Sequence, residues 1–167
     1  MSEEPLTTLQ ELLAKAHGLA IAATTVADKV AARIVDAELR AELHELQEEA
    51  RRTRAWCLEL EQRNDDAIAQ ALLHHANTAD EKASDLAGAW FKAGTGPLEA
   101  LTFLAMGEAA EVAVWTALAQ LVRASDDEDL VTLVEWALPV QQRHLEFALE
   151  AVAKLATVAD PAAARWG

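Results

Sequence analysis

No tyrosine occurs in this 167-residue chain, and cysteine is present once, at Cys57. A single cysteine excludes an intrachain disulfide and suits a reducing compartment, so a cytoplasmic location is expected. Phenylalanine and isoleucine are scarce, and there are only six glycines and four prolines. Sheets need β-branched and aromatic side chains that are in short supply here, whereas Ala and Leu lose little on entering a helix. Basic residues are outnumbered, with 14 Lys and Arg against 28 Asp and Glu, for a net charge of -14. Such a chain lacks the basic footprint that displaces counterions from nucleic acid, and anionic lipid repels it. No run of about twenty uncharged apolar residues is present to cross a bilayer. The opening MSEEPLTTLQ has no basic stretch leading into an apolar one. Neither nucleic acid nor a membrane is therefore an expected partner.

What is present is helical patterning. With 52% of its residues apolar, the chain can bury a substantial core as a single domain over 1–167. Local punctuation divides it into five segments. Thr8 with Glu11 makes a capping-box pattern before a first segment running to about Val35. Asp36 caps a second, from Ala37 to about Arg63. Asn64-Asp65-Asp66 opens a third stretch, interrupted near Asn77, where Thr78 and Glu81 repeat the capping box. Gly94-Thr95-Gly96-Pro97 breaks the chain and places proline at the first position of a fourth segment, which runs to about Ala124. Ser125 with Glu128 starts a fifth, ending near Asp160-Pro161.

Four segments carry an apolar seam with alternating steps of three and four residues. The first reads Leu9, Leu13, Ala16, Ala20, Ala23, Ala27, Val30, Ile34. The second reads Leu39, Leu43, Leu46, Ala50, Thr53, Cys57, Leu60. The fourth is Leu101, Leu104, Glu108, Glu111, Trp115, Leu118, Val122, and the fifth is Leu130, Val134, Ala137, Gln141, His144, Ala148, Ala151, Leu155. The third has no comparable seam. The expected fold is thus all-α: a four-helix bundle of two antiparallel hairpins joined by a long, partly helical crossover at about 64–96, which is the ferritin-like arrangement.

The two later seams are apolar except at their centres, where Glu108 and Glu111 stand one turn apart and Gln141 and His144 likewise. In an antiparallel pair, residues at equal height have a constant index sum. Both Glu108 with His144 and Glu111 with Gln141 satisfy that sum for a turn centred on Asp126. Each pair then lies about 25 Å from the turn, at ~1.5 Å per residue. Buried carboxylates must bond to one another, to water or to a cation, and facing glutamates with E-x-x-H pairs build di-metal bundles. Pro139 removes a backbone donor beside this level and bends the fifth helix. Among the other histidines, His44 with Glu48 reads as a surface pair, His74-His75 points two ways from one helix, and His17 falls off its seam and is expected to be partly exposed. Trp115 packs over the polar cluster, while Trp56, Trp90 and Trp136 cover crossover or subunit contacts and Trp166 docks the C-terminus. Gly94-Thr95-Gly96 lacks the strand and spacing of a nucleotide loop. No Ser/His/Asp arrangement is present, and Cys57 on a core seam reads as a small buried residue.

The stretches VDAELRAELHELQEEARRTRAW, GEAAEVAVWTALAQL and LVEWALPVQQRHLEFAL resemble the second, third and fourth bundle helices of the ferritin-like superfamily, most of all the Yci-type ferritin-like bacterial stress proteins. The resemblance implies iron or another divalent metal held by Glu108, Glu111, Gln141 and His144, with neither haem nor nucleotide, in a stress-associated homodimer. Such sites also draw a carboxylate from the first helix and a carboxylate-histidine pair from the second. Here the first seam offers Ala20 and Ala23 at that depth and the second offers Leu43, Leu46 and Ala50. His44, Glu45, Glu48 and Glu49 only flank the second seam. The expected function is a metal-binding or stress-associated bundle with a reduced site, not an efficient oxidase. Two alternatives stand beside it: a non-haem iron or manganese oxidoreductase whose site Glu45, Glu48 or Glu49 completes, and a non-catalytic bundle that binds a small molecule or a partner.

Overall fold

A computed structural model describes residues 6–163, and every regular element among them is helical. The helices are α1 (Thr8–Ala31), α2 (Ala37–Glu61), α3 (Asp66–Trp90), α4 (Pro97–Leu121) and α5 (Glu128–Val158), with a 3-10 turn at Val122–Ala124. Trp166 lies outside the described residues.

Capping sets the helix starts, and in three places it differs from the sequence expectation. Thr7, not Thr8, caps α1, and it forms the reciprocal box with Gln10 rather than Glu11. Asp127 caps α5 through the Leu130 amide, while Ser125 accepts from the Asp127 amide one step earlier. Neighbouring residues there are all competent caps, so a sequence pattern alone cannot choose among them. The third difference is larger: α3 runs unbroken through Asn77, with Asp65 as its cap. The Thr78 hydroxyl donates to the His74 carbonyl one turn back, which satisfies it inside the helix. Asp36 caps α2 and Pro97 opens α4, as expected. The turns begin a few residues early, with α1 ending at Ala31, α2 at Glu61 and α5 at Val158.

All seam positions of α2 and α4 are buried, as are those of α1 from Leu13 onward and of α5 up to Ala151. α1 packs on α2, on α3 and on α4, and α4 packs on α5. α2 and α5 run antiparallel, tied by Asp36 with Lys154 at 3.0 Å near one end and by Arg63 with Asp129 near the other. The apolar core is divided in two. One cluster joins Val26, Val30, Leu39, Leu43, Leu101 and Leu104 with Ala148 and Ala151. The other joins Leu13, Cys57, Leu60, Trp115 and Leu118 with Leu130, Leu133 and Val134. Glu108, Glu111, Gln141 and His144 belong to neither cluster and are buried between them in the chain order of α4 and α5.

α4 with its following turn, Pro97–Ala124, is long and apolar enough to cross a membrane by length and composition, with a mean hydropathy of 1.3 in its best window. The expectation that no such stretch exists holds only for uncharged runs. Half of that window is buried against the other helices, and two glutamates sit on its buried face.

α3 lies against α1, in parallel, where Ala14 meets Leu72 and Ala76. The approach is closest at Gly18: a Cβ there would stand 2.2 Å from the Ala76 carbonyl oxygen and 2.7 Å from the Ala79 Cβ. Both obstacles are fixed to the α3 backbone, so only a shift of the helix could relieve them. Gly88, on the exposed side of α3, has nothing within 4 Å of such a position. Gly18→Ala is therefore expected to destabilise the protein by about 1–3 kcal/mol in urea denaturation, despite alanine's better helix propensity. Gly88→Ala is expected to stabilise it by about 0.5–1 kcal/mol. The same sign for both substitutions would contradict the tight α1–α3 contact.

Candidate functional site

α4 presents Glu108 and Glu111 on its buried face, and α5 presents Gln141 and His144 opposite them. Each is at most 4% exposed. The His144 Nδ1 lies 3.5 Å from Glu108 Oε2, the neighbour the index sum predicts. Glu111 and Gln141 do not pair: both polar atoms of Gln141 and Oε2 of Glu111 have no hydrogen-bond partner within the protein. The Trp115 Nε1 is in the same position, whereas Glu108 Oε2 has its ion-pair contact with His144. Buried polar atoms left unbonded cost free energy, and several on neighbouring turns are uncommon in a folded chain.

A fifth residue joins the cluster from α2. Glu49 turns inward so that its Oε2 stands 2.6 Å from His144 Nε2, while Arg143 binds the same carboxylate from outside. Sequence reasoning left Glu45, Glu48 and Glu49 as equal candidates. The structure selects Glu49, since Glu45 is exposed and Glu48 pairs with Arg51. His44 is exposed and is not Glu48's partner. The signal was present in register: Glu49 precedes the buried seam residue Ala50, and its side chain is long enough to reach across.

With a carboxylate at each ring nitrogen, His144 is built to be an imidazolium, the form in which both nitrogens donate. Burial disfavours its charge, but Glu108 and Glu49 outweigh burial and hold its pKa above the ordinary histidine value. Burial would raise the Glu49 pKa, yet hydrogen bonds from His144 and Arg143 bring it below the usual carboxylate value. Glu111 behaves oppositely. Its burial, reinforced by the charge of Glu108, pushes its pKa well above the usual carboxylate range. Burial likewise raises the Cys57 thiol, with Glu61 and Glu111 adding to the effect.

A second buried pair went unpredicted. His17, expected to be partly exposed, is 2% exposed and holds Glu61 through Nδ1 at 2.8 Å. It lies one residue off the α1 seam, but α1 is covered by α2, α3 and α4 together, so residues flanking its seam are also enclosed. Gln47 is buried for a similar reason and donates to the Thr24 carbonyl at 2.8 Å.

These residues do not fit a di-metal centre. α1 contributes alanines at this depth, Ala20 and Ala23, both buried. Both nitrogens of His144 face carboxylates, leaving no lone pair turned to a metal. Among the described residues, no three His, Cys, Asp or Glu side chains are grouped as a metal-holding set.

The acids have another neighbour, a cleft of about 700 Å³ between α1, α3 and α4. Its walls are mostly apolar, including Leu12, Leu19, Val26, Leu86, Phe103 and Leu104, and Glu108 and Glu111 form part of its lining. That volume lies within the usual range for small-molecule sites, which combine apolar walls with a few convergent polar groups. Of the tryptophans, Trp115 is fully buried, Trp56 stacks on Trp136 with ring centroids 5.8 Å apart, and Trp90 donates to the Glu99 carbonyl at 3.3 Å.

Compared with protein-family models, with curated proteins and with solved structures, the chain matches none.

Proton linkage gives a test of the site. Glu111 and His144 hold their protons more tightly in the folded chain than in the unfolded one, so stability falls as pH rises above their ordinary pKa values. Glu49 holds its proton less tightly, so its contribution is lost as pH falls through the ordinary carboxylate value. These three groups together favour the folded chain most near the ordinary carboxylate value, at about pH 4–5. Glu111→Gln is expected to raise the melting temperature at about pH 8 and to lose most of that gain at about pH 5. A melting-temperature difference that does not depend on pH would place Glu111 in a less enclosed setting.

Proposed function

We propose that the chain is a ferritin-like four-helix bundle that binds a small molecule between the bundle and its crossover helix and does not activate oxygen. In this reading α1, α2, α4 and α5 form the bundle and α3 is the crossover, laid as a full helix along α1. The two hairpins, their apolar seams and the polar level between two core clusters support that arrangement. One observation carries the functional part: the cleft of about 700 Å³ and the buried carboxylates with unbonded oxygens meet at the same place on α4. A bundle core that only needed stability would be better served by apolar residues there.

The cleft is tested with an eight-carbon alcohol. Titration calorimetry with 1-octanol is expected to show saturable binding of one molecule per chain. Ala110→Trp, which adds bulk at an exposed position lining the cleft, is expected to abolish it while leaving the fold intact. Equal binding by wild type and variant would place the alcohol elsewhere and remove the support for this reading.

A single divalent cation is the competing occupant. The acceptor oxygens Glu111 Oε2 and Gln141 Oε1, both buried without a donor, favour it. Metal analysis of purified protein, loaded with iron, manganese or zinc, is expected to find no stoichiometric ion. One ion per chain, absent from Glu108→Ala, would replace the small-molecule reading with the metal one.

A further inference from the structure

The lining of the cleft is uneven, and the unevenness says which end of a ligand goes where. Leu12, Leu19, Leu86, Phe103 and Met106 give it apolar walls from three helices. Glu108 and Glu111 are its deeply buried polar groups, 2% and 3% exposed; Glu108 Oε2 faces His144 Nδ1 at 3.5 Å, while nothing in the protein bonds Glu111 Oε2. The other charged groups along it, Glu11, Lys15 and Lys82, are exposed and stay in water.

We propose that the ligand is an organic cation, a primary or secondary alkylammonium whose charged head is held by Glu108 and Glu111 and whose chain lies along the apolar walls. This rests on the small-molecule reading and gives its chemical class. The argument is one of complementarity. An ammonium carries only donors, and the carboxylates of Glu108 and Glu111, one helical turn apart in the lining of the cleft, are acceptors. The inner charges are also unequal, because His144 is the cation facing Glu108 and is already shared with Glu49. Arg143, the other cation nearby, is turned outward to Glu49. A positive charge beside Glu111 takes the place of the proton that burial favours there; a carboxylate ligand would add a negative group beside the two acids. The net charge of -14 further concentrates cations at the surface. Lys15 and Lys82 oppose this at the mouth, but exposed charges are screened within about 10 Å at ordinary ionic strength. They could instead hold the head of a fatty acid, whose tail would then abut the two acids.

The probes are n-octylammonium, 1-octanol and octanoate, which share one chain and differ in the head. At neutral pH, n-octylammonium is expected to bind wild type at least about tenfold more tightly than 1-octanol, with octanoate weakest. Glu111→Gln is expected to remove most of that tenfold preference while still binding 1-octanol. This variant should fold well, since it relieves a buried acid. A Lys15→Ala, Lys82→Ala double variant is expected to leave the order unchanged. Octanoate binding most tightly, or losing its affinity in the lysine variant, would overturn the cation and point to a fatty acid. Equal affinity for n-octylammonium and 1-octanol would overturn the cation and leave the cleft reading standing. Binding of none of the three would overturn both.

Discussion

Taking an unpaired carboxylate out of water costs several kcal/mol even after the protein relaxes around it, and α4 takes two of them into the core one turn apart. The surrounding structure answers to that cost. Glu108 is met by His144, whose ring is held from the other side by Glu49, and Glu49 is held in turn by Arg143 at the surface. The chain of contacts leads one charge outward from the bundle interior to solvent. Glu111 has no such chain. Burial and the charge of Glu108 raise its pKa instead, so one of the two acids is met by a partner and the other is pushed toward its neutral form.

α1 makes this possible without supplying a polar group. Its seam has alanine at positions 16, 20, 23 and 27, and its other faces carry Ala14, Gly18 and Ala22, so three helices can approach it closely. On one side that closeness brings α3 to contact at Gly18. Alongside that contact a cleft opens, lined by Leu12, Leu19 and Val26 of α1 and by Thr78, Ala83 and Leu86 of α3, and α4 closes the third wall. Small residues thus serve two ends: they lock α3 at one point and leave room at another. An α1 carboxylate at Ala20 or Ala23 would complete a metal ligand set; alanines there turn the same volume over to apolar packing.

Much of this was legible in the chain itself. The stepping of three and four placed the buried faces of four helices almost residue by residue, because seam spacing reflects tertiary packing directly. Constant index sum in a hairpin placed Glu108 against His144. It did not place Glu111 against Gln141, since equal height does not decide where a flexible side chain turns. Caps were misplaced by a residue or two because Thr7 and Thr8, or Ser125 and Asp127, are chemically interchangeable in that role. The supposed break in α3 used a Thr-x-x-Glu pattern that fits a helix interior equally well once the hydroxyl bonds back one turn. His17 with Glu61 was hidden for a topological reason: the third helix covers a side of α1 that a four-helix picture leaves to solvent.

His144 decides how far the likeness to di-metal bundles extends into chemistry. In an E-x-x-H site the imidazole offers a lone pair to the metal and uses its other nitrogen for an orienting bond. Here Glu49 occupies one nitrogen at 2.6 Å and Glu108 faces the other, so the ring acts as a fixed positive charge. A ligating histidine must be neutral, and the two carboxylates that surround this one favour the opposite state. The position that a metal site would need as a donor has become a cation holding Glu108 in place. Glu108 thus has a charged partner beside it, whereas burial and the charge of Glu108 raise the pKa of Glu111. A charge-paired acid and an unpaired one on adjacent turns are the polar content this core carries between its two apolar clusters.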